Sequence, residues 1–318
     1  MAAASNTLRA ALAAPLRRRF GVPALAGALA LAGLLVLAPA TRCRAQEPQP
    51  DTKQTDTKQP DTKQVGTKQA DVKTAAPAHT PEQLETMATL DKLLAERNYE
   101  QLSKTVAALS DGPGITAGLD WGRARTLEGA SLVVPLLYAA LLWRTAAQNP
   151  QYAEMRQTSG LMASYAVLVM AADSPKCADK SAPEHQIASI IPVYKPLLAS
   201  VAQLPEAQRK KIMDIAISLE QRLAPKRGND AYLCRFGMQE HIDMTKKYGD
   251  KAYEEVPAKP GQLGRQMQLR SDPSYMPKFR PREQWEPEQA AARAHFQELL
   301  STILTPQAGQ APSGAAKP

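Results

Sequence analysis

The sequence predicts an all-α fold: an irregular multi-helix bundle of about seven to eight helices, preceded by a signal peptide and a disordered linker. Two observations predict this class. From about residue 80 to residue 250, apolar residues recur at steps of three and four, which is the spacing of one helix face. No stretch sustains the alternation of apolar and polar residues that marks a half-buried strand. With 318 residues, of which 44% are hydrophobic, the chain can bury a sizeable core.

The first 45 residues have the pattern of a secretory signal peptide. A basic segment that ends at Phe20 precedes an uncharged stretch, and small residues then offer cleavage after Ala45 or, as the second choice, after Ala40. Arg17–Arg19 before Phe20 resembles part of a twin-arginine signal, but a Sec-type signal is favoured because the next two residues differ from the usual pair. We therefore expect a periplasmic or secreted protein. An uncleaved membrane anchor is the alternative, because about 20 apolar residues can span a bilayer.

The formal charge of +8 does not indicate a nucleic-acid partner. The signal peptide contains six arginines and no acidic residue, so its removal leaves a charge of only +2. A nucleic-acid-binding surface normally requires a clustered excess of lysine and arginine. The sequence therefore predicts no nucleic-acid partner, and contact with a membrane only during export or through an uncleaved anchor.

Residues 46–79 are dominated by a five-residue repeat built on Asp-Thr-Lys-Gln. Such a polar segment cannot bury enough apolar surface to offset the entropy of ordering it, so we expect a disordered linker. A lysine-rich arm for anionic polymers is the functional alternative. The spacer is favoured because the aspartates and lysines of the repeat nearly cancel.

The first helices are recognised by their starting residues. Thr80 and Gln83 form a capping-box pattern with proline at the first helical position. Asn98 restarts a second helix, because asparagine is a favoured N-cap residue. The five glycines of Ser110–Gly129 then predict a flexible loop between helices.

Two very apolar segments, Ala130–Ala147 and Tyr152–Ala172, are predicted to pack as an antiparallel hairpin because a short polar connection joins them. Each apolar run is shorter than the 18 or more residues expected of a membrane-spanning segment. The segments are therefore interpreted as the central core helices, with a membrane hairpin as the alternative.

Three further helices complete the predicted bundle. Apolar residues at helical spacing mark Ile187–Leu204, which Pro192 and Pro196 should kink or split. Pro205 opens the next helix, and Asp230–Tyr248 is predicted as the last one, with its aspartate as the cap.

Beyond residue 250 the sequence becomes rich in proline. Residues 80–250 are thus predicted to form the helical-bundle domain, and residues 251–304 a proline-rich extended arm with a C-terminal helix from about Glu288. We expect that helix to dock on the bundle, because a lone helix of this length is marginal in water. Residues 305–318 are predicted to be a disordered tail.

The predicted loop contains the most polar cluster of functional side chains, and this cluster is the candidate for a ligand site. A tryptophan flanked by carboxylates and arginines can stack on and hydrogen-bond a sugar or a carboxylated ligand. The alternative interpretation is a buried tryptophan that clamps the segment onto the body, with exposed ion pairs around it. The cluster consists of Asp120, Trp121, Arg123, Arg125 and Glu128.

Cys177 and Cys234 are predicted to form one disulfide. Cleavage after residue 45 removes Cys43, which leaves an even pair in an oxidising compartment. One alternative is a metal site in which both cysteines act with His185 and His241, although the spacings match no common zinc module. The other alternative is a pair of free thiols.

The scan for catalytic motifs gives no positive result. The sequence contains no serine-hydrolase elbow, no phosphate-binding loop and no zinc-protease motif, and it predicts no cofactor.

The sequence favours a non-enzymatic periplasmic or secreted binding module whose partner is an envelope protein or polymer. The alternatives are an exported hydrolase of envelope polymers with its site on the 111–129 loop, and a membrane-tethered envelope protein with an uncleaved anchor. A binding module should present an exposed apolar groove, whereas an enzyme should present a cleft lined by the polar cluster and a further carboxylate or histidine.

Overall fold

The structure, a computed structural model, describes residues 79–256 and 264–305. These residues form ten α-helices and one two-stranded sheet, so the predicted all-α class is confirmed, with more helices than expected. The signal peptide, nearly all of the linker and the tail from residue 306 lie outside the described residues. In chain order the elements are α1 (Pro81–Ala95), α2 (Tyr99–Ala108), α3 (Gly112–Leu127), α4 (Val133–Gln148), α5 (Glu154–Asp173), α6 (Ser181–Ala202), α7 (Glu206–Leu223), α8 (Met238–Tyr248), β1 (Tyr253–Val256), β2 (Gln266–Leu269), α9 (Arg282–Ala294) and α10 (Phe296–Leu304).

The helix starts predicted from local sequence are confirmed for α1 and α2. The Thr80 hydroxyl accepts a hydrogen bond from the Gln83 backbone N–H, and the Gln83 side chain accepts one from the Thr80 N–H. The Asn98 side chain accepts from a backbone N–H of the first turn of α2. These bonds satisfy N–H groups that have no partner within the helix, and therefore fix where each helix begins.

The centre of the core is the antiparallel pair α4 and α5, as the two apolar segments predicted. Helix α3 packs against α4, while α6 and α7 pack against α5. Polar groups within this core have partners: the Tyr194 hydroxyl donates to the Leu136 carbonyl, and the Ser159 hydroxyl donates to the Ala139 carbonyl. None of the helices in the described part of the chain combines the length and the apolar character that crossing a membrane requires.

The prediction of a loop over residues 110–129 is wrong, because most of this segment forms α3. Asp111 caps the helix by accepting a hydrogen bond from a backbone N–H of its first turn. Gly118 and Gly122 face α4 so closely that an added Cβ on either would lie 2.9 Å from an α4 side-chain carbon. The glycines thus permit close helix packing, and this tertiary contact overrides their low helix propensity.

Two boundaries around α6 and α8 also differ from prediction. Helix α6 is not split by Pro192 and Pro196; it continues to Ala202, and its apolar face stays buried against α5. Asp230 does not start α8, which begins eight residues later at Met238. The Asp230 carboxylate instead accepts hydrogen bonds from the Leu132 N–H and the Ser131 hydroxyl, so it fixes the start of α4 to a distant turn.

The C-terminal region contains two corrections. Within the predicted extended arm, β1 and β2 pair as an antiparallel ribbon, with Tyr253 opposite Leu269. The single predicted last helix is two helices, α9 and α10, which meet at His295 because its backbone leaves the helical conformation. Helix α10 buries Phe296 and Leu300 against α6 and α7.

A buried network of charged side chains joins α5, α7 and α9. The Asp173 carboxylate accepts from Arg227 Nε at 2.9 Å and pairs with Lys176 Nζ at 3.0 Å. The Glu220 carboxylate pairs with Arg227 and, at 3.0 Å, with Arg293 of α9. Each of these buried charges faces an opposite charge, which is the condition under which burying a charge is tolerated. We therefore assign the network a structural role.

Candidate functional site

Three of the five residues proposed as a ligand cluster form hydrogen bonds or ion pairs with other side chains of the protein. Trp121 is only 1% exposed, and its indole N–H donates to the Asp91 carboxylate of α1 at 2.8 Å. Arg125 donates to the same carboxylate through two nitrogens and also pairs with Glu128. The Arg125 guanidinium lowers the pKa of Asp91, so the pair stays charged. This arrangement clamps α3 to α1.

The other two residues of the cluster point elsewhere. Asp120 lies 3.9 Å from His79, and Arg123 is exposed on the opposite side of α3 from the clamp. Four cavities among the described residues are lined entirely by residues outside the cluster. The geometry favours the clamp interpretation, and the hydrolase alternative loses the flexible loop on which its site was placed.

The structure places Cys177 and Cys234 at disulfide distance, with their Cα atoms 5.3 Å apart. In a bridge, neither sulfur is the thiolate that a metal site of the Cys-His type requires. Among the residues that the structure describes, no group of three or more His, Cys, Asp or Glu side chains could hold a metal ion. His185 instead contacts Ser189 at 3.3 Å, and His241 contacts the Tyr253 hydroxyl at 3.4 Å.

Three chain segments meet at the cysteine pair: residues 178–180 before α6, residues 234–242 leading into α8, and residues 275–278 of the arm. The arm pairs with the first segment through an antiparallel bridge between Cys177 and Phe279, and the Ala178 N–H donates to the Lys278 carbonyl. The three segments enclose a groove of about 370 Å³. Its walls are formed by Ala178, Asp179, Lys180, Cys234, Met238, Gln239, Glu240, Ile242, Tyr275, Pro277 and Lys278.

The floor of this groove is apolar and exposed. Met238 and Ile242 are four residues apart on α8 and therefore lie on the same helix face. Their side chains are 64% and 41% exposed. Tyr275 and the buried Pro277 of the arm also line the groove.

Beneath the groove lies a buried ion pair. Arg235 and Glu240 are each 1% exposed, and Arg235 Nη2 lies 2.6 Å from a Glu240 carboxylate oxygen. The guanidinium also stacks on the rings of Phe236 and Tyr275, at 5.1 and 5.4 Å from their centroids. Because the pair is neutral overall and holds the Tyr275 ring, it fixes the wall of the groove without charging it.

The start of α8 is tied to α6 across the groove. The Asp179 carboxylate accepts from the Gln239 backbone N–H at 2.7 Å, and the Ser181 hydroxyl accepts from the Met238 N–H at 2.8 Å. Gly237 permits this approach, since an added Cβ would lie 2.7 Å from the Cβ of Ala182. The exposed N–H groups of α8 are thus satisfied from within the chain, and the floor residues are held in a fixed position.

The sequence predicted the bridge at Cys234, but it did not reveal the floor of the groove. The available signal was the pair Met238 and Ile242, the apolar residues at the start of an otherwise polar stretch. The same spacing is typical of a buried helix face, so only the structure distinguishes an exposed pair from a buried one.

No known protein family, no curated protein sequence and no solved structure matches this chain.

Proposed function

We propose that this protein is a non-enzymatic binding protein of the periplasm or the extracellular space, and that it holds an extended peptide segment of a partner protein in the groove between α8 and the arm. The observation that carries the proposal is the concave placement of two exposed apolar side chains, Met238 and Ile242, between walls held by the cysteine pair.

Single exposed apolar residues are common on protein surfaces and require no explanation. Met238 and Ile242 differ because they are adjacent, lie in a concavity and face a second apolar wall. Methionine adapts its shape to different side chains, which suits a surface that binds peptides. The volume of about 370 Å³ is within the usual range for ligand sites and fits a few side chains rather than a folded domain.

The chemistry of the groove favours a peptide over an envelope polysaccharide. Sugars bind proteins mainly through flat aromatic faces and many polar groups. The one aromatic ring of the groove, Tyr275, already stacks on Arg235, and its hydroxyl lies 3.3 Å from Asp243. The floor left for a ligand is the aliphatic and thioether carbon of Ile242 and Met238, which matches apolar amino-acid side chains.

Two sequence features support an extracytoplasmic location. The first 45 residues have the pattern of a signal peptide. The two cysteines that remain after cleavage at Ala45 lie at disulfide distance, and disulfides persist mainly in oxidising compartments.

The test is selection of peptides from a random phage-displayed library on the immobilised protein, followed by measurement of their affinity by fluorescence anisotropy. Ile242→Glu places a charge on the groove floor and should weaken binding at least about tenfold. Ile215→Glu is the matched control, because Ile215 is also 41% exposed but lies on α7. The Ile215→Glu variant should bind the peptides with the affinity of the unmodified protein.

The melting temperatures of both variants show whether they fold. The proposal is overturned if no peptide is enriched, or if Ile242→Glu and Ile215→Glu bind the selected peptides equally well. Binding of purified envelope polysaccharide that Ile242→Glu abolishes, without binding of any peptide, would overturn it in favour of a polymer ligand.

A further inference from the structure

We infer that the groove selects acidic peptide segments, and that Lys180 and Lys278 are the residues that determine this selectivity. The inference rests on the proposed function, because it names the chemistry of the peptide that the same groove binds. It depends on the charges around the groove, which the apolar floor alone does not reveal.

The two lysines stand on different walls of the groove. Lys180 precedes α6, and Lys278 belongs to the arm, so the floor residues of α8 lie near both. Both side chains are exposed. Within residues 79–256 and 264–305, neither ammonium group forms an ion pair or a hydrogen bond. Lys180 helps to lower the pKa of Glu288, but that carboxylate is paired with Arg280 at 2.7 Å.

The acidic side chains at the groove are all occupied, in contrast to the lysines. Asp179 accepts hydrogen bonds from the Gln239 N–H and from the Ser181 N–H and hydroxyl, which lower its pKa against the effect of burial. Glu240 is sealed beneath the groove with Arg235. Asp243, next to the Tyr275 hydroxyl, accepts from the Gln239 side chain.

An incoming segment therefore meets two unpaired cations and an apolar floor. A basic segment would be repelled by the lysines and would meet carboxylates whose oxygens already accept hydrogen bonds from within the chain. An acidic segment gains two charge pairs while its apolar side chains cover Met238 and Ile242. Exposed lysines usually do no more than keep a surface solvated; the position of these two on neighbouring segments that line one groove with an apolar floor is what assigns them a ligand.

The experiment uses the tightest peptide from the selection above, together with one derivative in which each acidic residue is replaced by its amide and one in which each is replaced by lysine. We expect acidic residues to be enriched among the selected peptides. The amide derivative should bind about tenfold more weakly at low ionic strength, which corresponds to two exposed ion pairs. Raising the salt from about 20 mM to about 500 mM should remove most of this difference.

The double variant Lys180→Glu with Lys278→Glu should reverse the preference and bind the lysine derivative better than the acidic peptide. Such a gain of binding cannot result from misfolding. The control with the same change of charge is Lys195→Glu with Lys211→Glu, two exposed lysines that do not line the groove. It should keep the original preference.

The outcomes separate the two proposals. If peptides bind, Ile242→Glu weakens them, and acid and amide derivatives bind equally, the inference fails while the proposed function stands. A selection dominated by neutral or basic peptides overturns the inference in the same way. If no peptide shows binding that depends on Ile242, the proposed function itself fails.

Discussion

At the scale of single residues, burial determines how the two histidines near the cysteine pair titrate. On α8, His241 Nδ1 lies 3.4 Å from the Tyr253 hydroxyl, and its Nε2 is buried without a hydrogen-bond partner in the part of the chain that the structure describes. On α6, His185 contacts Ser189. Burial lowers the pKa of both below the ordinary value of 6.5, and in His241 it outweighs the opposing effect of Glu240 and Asp179.

Because both pKa values are lowered in the folded state, the unfolded chain binds more protons than the folded chain once the pH falls below about 7. We therefore expect the melting temperature to fall between about pH 7 and about pH 5. The double variant His185→Gln with His241→Gln should show a smaller fall. The aspartates whose pKa is lowered affect stability in a different pH range. Their contribution to the free energy of unfolding is lost only as the pH falls below about 4. For Asp272, the pKa in the folded state is about 2. Calorimetry across this range checks the prediction, which fails if the variant and the unmodified protein have parallel profiles.

At the scale of elements, the contact between α3 and α4 depends on a missing side chain. Gly122 lies against Tyr138, so that an added Cβ would be 2.9 Å from the tyrosine Cβ. The Tyr138 Cβ is attached to the backbone of α4 and cannot rotate away. The contact therefore tolerates no larger residue unless the two helices move apart.

Gly122→Ala tests this contact. Alanine gains about 1 kcal/mol of helix propensity over glycine, but overpacking a tight helix contact costs about 1–3 kcal/mol. We expect a net loss of about 1 kcal/mol in the free energy of unfolding, measured by urea denaturation. Gly112→Ala is the control on the same helix, because nothing lies within 4 Å of an added Cβ there. It should change stability by less than about 0.5 kcal/mol. Equal effects of the two substitutions would contradict the packing argument.

At the scale of the whole molecule, the cysteine pair links two parts of the chain that lie far apart in sequence. Cys177 follows α5, and Cys234 precedes α8, at a sequence separation of 57. Closing a loop of this length restricts the unfolded chain by about 4 kcal/mol on the chain-entropy model, an upper value. This is comparable with the net stability of many single domains.

Reduction of the native protein should therefore lower its free energy of unfolding by up to about 4 kcal/mol. The variant Cys177→Ala with Cys234→Ala should show no response to the reductant. Hydrogen exchange should increase in α8, which borders the groove, more than in α4, which lies at the centre of the core. Non-reducing peptide mapping provides the independent check: free thiols on both cysteines of the isolated native protein would refute the bridge.

The sequence by itself determined the features that depend on neighbours along the chain. The caps at Thr80 and Asn98 were predictable because an N-cap bonds to N–H groups two or three residues away. The core pair α4 and α5 was predictable because its apolar runs leave few alternatives to burial. The cysteine pair followed from counting residues, once the first 45 were taken as a signal peptide.

Only the tertiary structure decided the rest, because the determining contacts come from distant segments. The glycines of α3 resemble a loop until α4 packs against Gly118 and Gly122. Asp230 resembles the cap of a nearby helix in the sequence. In the structure its carboxylate bonds to Leu132 at the start of α4, which is 98 residues away along the chain. The groove is built from three segments that meet only in the folded chain, and no local pattern could show that Met238 and Ile242 remain uncovered between them.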